Sequence, residues 1–273
     1  MQVKAALALA RSRGVERLDA QLLLSHALAQ SRSWLIAHDD HPLAPSLQQH
    51  FVHSVERRAA GEPLAYLIGE REFHGLRFVV SPAVLVPRPE TELLVDWSLA
   101  VLRASEAVPI VDLGTGSGAI AVTLARRRPD LHVTATDIDL TVLQVAQLNA
   151  KQLGASIECL HGSWWQPVAG RRFQLAVSNP PYIDENDPHL PNLRHEPRHA
   201  LTPGGDGLAA LRQIVCGAPA HLQPGGWLLL EHGHDQGAAV RALLDDAGFT
   251  CPQTRRDLAG LERCSGACWP GDT

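Results

Sequence analysis

Short apolar runs alternate with longer amphipathic stretches along residues 109–251. Apolar runs bounded by glycine, proline or polar residues predict buried strands, and apolar positions that recur every three or four residues predict helices. The strands are predicted at residues 109–113, 131–136, 156–160, 173–177 and 227–231, with a terminal strand beginning at 249, and the helices at residues 119–128, 140–152, 206–216 and 236–247. This alternation predicts an α/β fold, with a mostly parallel sheet and helices on both faces. Residues 264–273 lack a clear β-branched pattern, so no pairing is predicted for them.

A separate helical region precedes the alternating part of the chain. Its apolar residues recur at helical spacing in two stripes, formed by Leu18, Leu22, Leu23, Ala27 and Leu28 and by Leu47, Phe51, Val52 and Val55. Because no polar chemistry is concentrated there, residues 1–70 are predicted to be a small helical domain used for recognition or packing.

Residues 71–87 are predicted to be a β-hairpin linker, because alternating residues flank a turn at His74 and Gly75. The proline and acidic residues that follow favour the start of a helix over residues 93–102. The predicted domains are therefore 1–70, 71–87 and 88–273.

Two prolines stop the strand predicted over residues 173–177, and Asn179 stands just before them. In open α/β sheets, ligands bind at the carboxyl ends of the strands. There the Asn179 side-chain oxygen can accept one N–H of a planar –NH2 group, and the Pro180 carbonyl can accept the second. Tyr182 supplies a flat face beside the target. The alternative is an ordinary Asn-Pro turn without a ligand.

A glycine-rich loop follows the strand at residues 109–113. Glycines at positions 114, 116 and 118 allow positive φ and close approach of a ligand to the backbone. Asp137, at the end of the next strand, is placed to bond a ribose diol. The loop also fits a relaxed dinucleotide fingerprint. Asp112, just before the loop, favours a cationic methionine-derived ligand, because its carboxylate would repel a pyrophosphate. An unliganded strand-to-helix turn is the remaining alternative.

Composition narrows the classes of function further. The net charge of −5 and the pI near 6.3 argue against a protein that binds nucleic acid by neutralising phosphates. Five dispersed cysteines indicate reduced thiols of a cytoplasmic protein. No metal site is predicted, since Cys264 and Cys268 have no second pair of ligands at zinc spacing. No signal peptide and no apolar run of membrane-spanning length is recognised.

Taken together, these motifs resemble class I S-adenosylmethionine-dependent methyltransferases that modify planar nitrogens. The chain more closely resembles the release-factor glutamine N5-methyltransferases, the HemK/PrmC family. The motifs that carry the resemblance are Gly61-Glu62-Pro63-Leu64-Ala65-Tyr66-Leu67-Ile68-Gly69, Phe73-His74-Gly75, Val86-Pro87-Arg88-Pro89-Glu90-Thr91-Glu92, Asp112-Leu113-Gly114-Thr115-Gly116-Ser117-Gly118, Asn179-Pro180-Pro181-Tyr182-Ile183 and Leu230-Glu231-His232-Gly233.

The resemblance implies a helical substrate-recognition bundle, a hairpin linker and a Rossmann-like methyltransferase domain. It also implies methyl transfer from S-adenosylmethionine to the Gln side-chain nitrogen in the Gly-Gly-Gln loop of class 1 peptide chain release factors. The implied cofactor contacts are Gly114, Thr115, Gly116, Ser117, Gly118, Asp137, Trp164 and Asn179. The implied substrate site is Asn179, Pro180, Pro181 and Tyr182, of which Asn179, Pro180 and Tyr182 are the implied catalytic residues.

One departure from the family pattern is Ser163, where the family often has Asp, which weakens an expected hydrogen bond to the adenine edge. Trp164 either stacks on adenine or, like Trp165, closes the edge of the sheet. Arg88 and Glu90 either shape the cofactor pocket or cap a helix. The loop over residues 183–203, with His195, Glu196 and Arg198, is assigned no role.

Two other functions fit part of the pattern. An adenine-N6 nucleic-acid methyltransferase would use the same turn for an exocyclic –NH2 group, although the acidic charge argues against it. A cofactor-binding regulatory protein without activity would not need the Asn179 turn. The expected state is a monomer that contacts neither membranes nor nucleic acid.

Overall fold

The computed structural model describes residues 1–102 and 107–271, which divide between the units Met1–Glu70 and Arg71–Thr273. The first unit contains the helices α1 (Val3–Ser12), α2 (Arg17–Leu28), α3 (Arg32–Ala37), α4 (Pro45–Ala59) and α5 (Leu64–Ile68). Leu23, Phe51 and Val55 from the two predicted stripes are buried in its core, whereas Leu18 is 47% exposed. An ion pair of 2.7 Å between Arg58 and Asp19 joins α4 to α2. The sequence therefore predicted the helical character of this unit correctly.

The predicted hairpin consists of β1 (Glu70–Phe73) and β2 (Leu76–Val79). His74 and Gly75 occupy its turn with φ values of 51° and 77°. Two consecutive positive φ angles are those of the tight turn whose twist matches an antiparallel pair of strands. The glycine supplies one of them without a steric cost.

A seven-stranded sheet forms the centre of the second unit. Its strands are β3 (Pro109–Leu113), β4 (His132–Asp137), β5 (Ile157–His161), β6 (Phe173–Ser178), β7 (Leu222–Glu231), β8 (Thr250–Arg256) and β9 (Glu262–Cys268), in the order β5-β4-β3-β6-β7-β9-β8. The pairings from β5 to β7 are parallel, and β9 is antiparallel to both of its neighbours. The strand order reverses between β3 and β6, which is the position where such sheets bind ligands.

Helices cover both faces of this sheet, as the sequence predicted. They are α6 (Glu92–Val101), α7 (Ala119–Arg127), α8 (Leu140–Leu153), α9 (Ala209–His221) and α10 (Gly237–Asp246). Successive strand residues point to opposite faces. Ile110 accordingly packs in the cluster that holds Leu124 of α7, and Val111 packs in the cluster that holds Leu211 of α9. Among the described residues, no helix is both long enough and apolar enough to cross a membrane.

Three elements differ from the sequence prediction by more than two residues, and one of them is β7, which begins at Leu222 and not at the predicted residue 227. The helix predicted over residues 206–216 is α9, which begins at Ala209 and continues to His221. Asp206 lies before it, where its carboxylate accepts a hydrogen bond from Leu208 N at 3.0 Å and pairs with Arg212. Residues 264–268, for which no pairing was predicted, belong to β9 in the interior of the sheet. A Cβ on Gly266 would lie 2.4 Å from the Leu229 side chain, so the packing requires a small residue here. The prediction of a strand relied on β-branched residues, which this position cannot hold.

Asn149 on α8 connects the hairpin region to the glycine loop. Its side chain is fully buried, accepts a hydrogen bond from Val79 N at 2.7 Å and donates to Val79 O at 3.0 Å and Ser117 O at 2.8 Å. We expect Asn149→Ala to lower the free energy of unfolding by about 3 kcal/mol, because three hydrogen bonds are lost in a buried site. Urea denaturation measures this loss. The exposed Asn192→Ala is the control, and equal stabilities of the two variants would contradict the expectation.

Candidate active site

One cavity of about 840 Å³ lies at the carboxyl ends of β3, β4 and β6. It brings together residues that are distant in sequence. The predicted site residues that line it are Gly114, Thr115, Gly116, Ser117, Asp137, Trp164, Asn179 and Pro181. Three predicted residues, Gly118, Pro180 and Tyr182, are not part of its lining.

The glycine loop makes the floor of the cavity. Gly114, Gly116 and Gly118 have φ values of 70°, 59° and 81°, a region that favours glycine. A Cβ on Gly114 would lie 3.1 Å from the Trp164 ring. On Gly118 it would lie 3.2 Å from Ala146 Cβ, so this glycine permits close packing of α7 against α8. Gly114 therefore leaves room for the Trp164 ring and Gly118 leaves room for α8, whereas Gly116 is favoured by its positive φ alone.

Asp137 is held by the backbone that surrounds the cavity. Its Oδ2 accepts a hydrogen bond from Gly116 N at 3.0 Å, and its Oδ1 accepts one from Asp139 N at 3.1 Å. Burial raises the pKa of Asp137, and these backbone hydrogen bonds and the nearby His199 oppose the rise. Each oxygen keeps acceptor capacity for a hydroxyl in the cavity.

Trp164 and Trp165 have different surroundings. Trp164 lines the cavity, and its Nε1 donates to Gln213 Oε1 at 2.9 Å. Trp165 is buried, donates to Ile214 O and stacks on His221 with a centroid distance of 4.9 Å. Of these two tryptophans, Trp164 is therefore the one available to stack against a planar ring in the cavity.

Asp112 does not line the cavity, in contrast to the contact with a cationic ligand that its position suggested. It is 1% exposed, and its Oδ2 accepts hydrogen bonds from Thr115 Oγ1 at 2.7 Å and Ala121 N at 3.2 Å. Its Oδ1 has no hydrogen-bond partner within the described parts of the chain. Burial raises the pKa of Asp112 to about 7, and the two hydrogen bonds oppose the rise. The Asp112 carboxyl group therefore stabilises the glycine loop from the side that faces away from the cavity.

Asp112 is expected to make the protein less stable as pH rises. Its folded pKa of about 7 exceeds the ordinary value of 3.8, so between these values the folded state binds more protons than the unfolded state. The resulting stabilisation is complete below the ordinary pKa and is lost as pH rises through about 7. Glu231, whose pKa burial also raises to about 7, acts in the same direction.

Urea denaturation between about pH 5 and about pH 8 tests this expectation. In Asp112→Asn, the pH slope of the unfolding free energy should be smaller by up to about 1.4 kcal/mol per pH unit. Asp130→Asn, at a partly exposed carboxylate whose pKa is lowered by Arg128, is the control and should keep the wild-type slope near neutral pH. An Asp112→Asn slope equal to that of the wild type contradicts the assignment.

Asn179 follows β6 directly and lies at the edge of the cavity. The preceding Ser178 donates from Oγ to Leu113 O at 2.6 Å, which joins the ends of β6 and β3. Asn179 Nδ2 donates to Thr91 Oγ1 at 3.1 Å. No donor among the described residues hydrogen-bonds to its Oδ1, so the amide oxygen is available to a ligand.

Pro180 is buried, and Tyr182 is held on the side of the turn away from the cavity. The Tyr182 hydroxyl donates to Glu231 Oε1 at 3.2 Å, and its carbonyl accepts a hydrogen bond from Gln236 Nε2 at 2.9 Å. Burial and the Glu231 carboxylate raise the pKa of Tyr182, so its phenol stays protonated. These contacts fix the shape of the turn.

Sequence reasoning missed how residues 183–203 contribute to the cavity. His199, Ala200, Thr202 and Pro203 line it. The loop is anchored by Glu196, which is 7% exposed, pairs with Arg88 at 2.5 Å and accepts a hydrogen bond from Val86 N at 3.2 Å. Arg88 lines the cavity, whereas Glu90 is exposed. No local sequence signal links Glu196 to Arg88, because the pair is separated by 108 positions.

The sheet, the glycine loop and the cavity define a Rossmann-like methyltransferase. The model of the methyltransferase small domain matches residues 90–207, and that of the PrmC N-terminal domain matches residues 2–69. A Pyrococcus furiosus methyltransferase has the same fold, with a TM-score of 0.55 and 17% identity over 84% of this chain and all of that one. The T. thermophilus 16S rRNA N2 G1207 methyltransferase gives a TM-score of 0.54 at 20% identity, over 73% of this chain and 49% of that one.

The chain belongs to the release factor glutamine methyltransferase family. The family member from Bordetella pertussis is 51% identical over 93% of this chain and 95% of its own length. The Burkholderia pseudomallei protein is 50% identical over 96% of this chain and 95% of its own length. The protein from Xylella fastidiosa strain Temecula1 is 49% identical over 97% of this chain and 98% of its own length. The predicted fold class and family are thus confirmed.

Proposed function

We propose that the protein uses S-adenosylmethionine to methylate the side-chain amide nitrogen of Gln in the Gly-Gly-Gln motif of class 1 peptide chain release factors. The observation that carries the proposal is the orientation of Asn179. Its amide nitrogen is engaged by Thr91, and its amide oxygen is left at the edge of a cavity that also contains the glycine loop and Asp137. Family membership supports the same substrate.

The lining of the cavity fits the cofactor. A volume of about 840 Å³ is within the range of small-molecule sites. The glycine loop would lie along the amino-acid part of the cofactor, Asp137 would accept hydrogen bonds from the ribose hydroxyls, and Trp164 would stack on the adenine. When bound, the cofactor supplies a methyl group activated by the sulfonium charge.

The residues of the Asn179 turn would position the acceptor. The Asn179 Oδ1 and the Pro180 carbonyl would each accept one N–H of the substrate carboxamide, and Tyr182 would hold the turn that carries them in place through its hydrogen bonds. An amide nitrogen is a poor nucleophile, because its lone pair is delocalised into the carbonyl. Acceptors aimed at both N–H groups stabilise the positive charge that grows on nitrogen in the transition state. Alignment of two reactants can contribute about 7–11 kcal/mol in favourable cases.

No general base is required in this mechanism, and the proton can leave to water after transfer. Residues 1–70 would dock the release factor, residues 71–87 would link the domains, and residues 88–273 would carry out the transfer. The protein would act as a monomer in the cytoplasm, without contacting nucleic acid.

The experiment combines purified protein, labelled S-adenosylmethionine and a class 1 release factor. We expect incorporation of one methyl group, which mass spectrometry locates on the Gln of the Gly-Gly-Gln peptide. A release factor with Glu in place of that Gln is the matched control and should incorporate none. Methylation at another residue, or only of added nucleic acid, contradicts the proposal.

A further inference from the structure

Gln236 links the Leu-Glu-His-Gly motif at residues 230–233 to the turn that carries Asn179. Its side-chain Oε1 accepts a hydrogen bond from Gly233 N at 2.9 Å, and its Nε2 donates to Tyr182 O at 2.9 Å. Because a backbone N–H can only donate and a carbonyl oxygen can only accept, these partners fix the orientation of the Gln236 amide. A side chain with both a donor and an acceptor is therefore needed at this position.

The Gln236 side chain is not used to begin α10. Gln236 stands directly before that helix, but its side chain makes no capping hydrogen bond to it. The buried Gly207 packs against the link instead, since a Cβ there would collide with Tyr182 O and lie 3.0 Å from Gln236 Nε2. Because water cannot readily replace a covered hydrogen bond, breaking it would leave the Tyr182 carbonyl unsatisfied.

His232 fixes the other end of the link. It is fully buried, its Nδ1 lies 2.8 Å from Gly233 O, and its Nε2 lies 2.7 Å from Ser265 Oγ of β9. Because the Gly233 carbonyl can only accept, Nδ1 carries the proton, and Nε2 of the neutral ring accepts from Ser265. Burial lowers the pKa of His232 and so favours the neutral ring. The Gly233 peptide that supports Gln236 is thus held to the interior of the sheet.

The turn needs support from outside because its two central residues are prolines. Pro180 and Pro181 have no N–H groups, so they donate no hydrogen bond that could hold the turn. At its amino end, the Asn179 side chain is anchored by a hydrogen bond of 3.1 Å. At its carboxyl end, Gln236 donates to Tyr182 O. The direction of the Pro180 carbonyl, which lies between these two points, is therefore set from both ends.

We propose that Gln236 is a positioning residue that holds the Tyr182 carbonyl, and through it the whole Asn-Pro-Pro-Tyr turn, in the geometry that receives the substrate carboxamide. This inference rests on the proposed function. Neither Gln236 nor Tyr182 is part of the cavity lining, so breaking the link should slow methyl transfer and leave cofactor affinity unchanged. The expected loss of rate is about tenfold, the ratio that one lost hydrogen bond produces.

The variant Gln236→Glu tests the donor separately from the size of the side chain. Its ionised carboxylate can still accept from Gly233 N but repels Tyr182 O, whereas its protonated form can donate to that oxygen. Gln236→Met removes both hydrogen bonds at every pH. Gln174→Glu is the matched control, because Gln174 Nε2 also donates to a backbone carbonyl, Gly225 O at 3.0 Å, but lies outside the cavity lining.

The surroundings of position 236 determine where the new carboxyl group titrates. The ionisable side chains on the elements packed around it are Tyr182, Glu231, His232, Asp235, Arg241 and Glu262. Carboxyl groups outnumber cations in this set. Acidic neighbours and partial burial both raise the pKa of a carboxyl group above its ordinary value of about 4.3. The carboxyl group of Gln236→Glu is therefore expected to titrate between about pH 5 and about pH 7.

The experiment measures single-turnover methylation of a class 1 release factor, and the affinity for S-adenosylhomocysteine, between about pH 5.5 and about pH 8. Relative to the wild type at the same pH, Gln236→Glu should be about tenfold slower at the upper limit and should approach the wild-type rate at the lower one. Gln236→Met should be slower by a constant ratio, and Gln174→Glu should match the wild type. All three variants should keep the wild-type affinity. A loss of packing alone would not be reversed by protonation.

The outcomes separate this inference from the proposed function. If the wild type methylates the Gln factor and the rate of Gln236→Glu relative to it does not change with pH, the positioning role is wrong while the proposed function stands. If Gln236→Glu does not fold, Gln236→Met decides the question, because a wild-type rate or a parallel loss of cofactor affinity contradicts the role. If the wild type does not methylate the Gln factor, both proposals are overturned.

Discussion

Replacing Asn179 with alanine is expected to lower methyl transfer by about 10²- to 10³-fold or more. The variant loses the Asn179 Oδ1 that would accept one N–H of the substrate carboxamide. It also loses the Asn179 Nδ2 that donates to Thr91 Oγ1 at 3.1 Å. Binding of the cofactor should be weakened but measurable, because the glycine loop and Asp137 are unchanged. Single-turnover methylation and calorimetry with S-adenosylhomocysteine measure the two effects.

Asn192→Ala is the matched control, because Asn192 is an exposed asparagine outside the lining of the cavity. It should methylate the release factor at the wild-type rate. Methylation by Asn179→Ala at a rate close to that of the wild type would remove the central residue of the proposed mechanism.

Replacing Asp137 with alanine is expected to weaken cofactor binding by about 100-fold, since two charge-assisted hydrogen bonds are worth roughly 3 kcal/mol or more. The change also frees Gly116 N and Asp139 N, which now donate to the carboxylate at 3.0 and 3.1 Å. The loss should therefore appear in the affinity for both S-adenosylmethionine and S-adenosylhomocysteine, which calorimetry measures directly.

Asp130→Ala is the control for this second variant. Asp130 also binds a neighbour tightly, in an ion pair of 2.7 Å with Arg128, but lies outside the cavity lining. Its removal should leave cofactor affinity unchanged. If Asp137→Ala kept the affinity of the wild type, the ribose site would have to be sought elsewhere.

Local sequence signals predicted the fold because they arise from local physics. The apolar runs ending at Leu113 and Val177 are strands whose alternate residues enter the two cores, and the glycines at 114, 116 and 118 have the positive φ that their residue type favours. His74 and Gly75 in the hairpin turn also have positive φ angles. In each case a few neighbouring residues determine the conformation.

The features that were missed depend on partners far away in the chain. β9 was not recognised because close packing of Gly266 against Leu229 requires a small residue where strand propensity favours a large one. The pair of Arg88 and Glu196 and the link from Asn179 to Thr91 span 108 and 88 positions. Asp112 was correctly noticed as unusual, but only the three-dimensional packing reveals that it faces the loop and not the cavity.

The position of β9 between β7 and β8 has a consequence for synthesis on the ribosome. β8 is translated before β9, but β9 is its partner in the sheet, so β8 has no place to pair until β9 has emerged. During that interval the backbone edge of β7 is open, and an open edge is a template for pairing with another chain. A chain truncated between residues 256 and 262 would therefore leave the edge of β7 unpaired and would be prone to aggregation, and chaperones that shield strand edges should bind it.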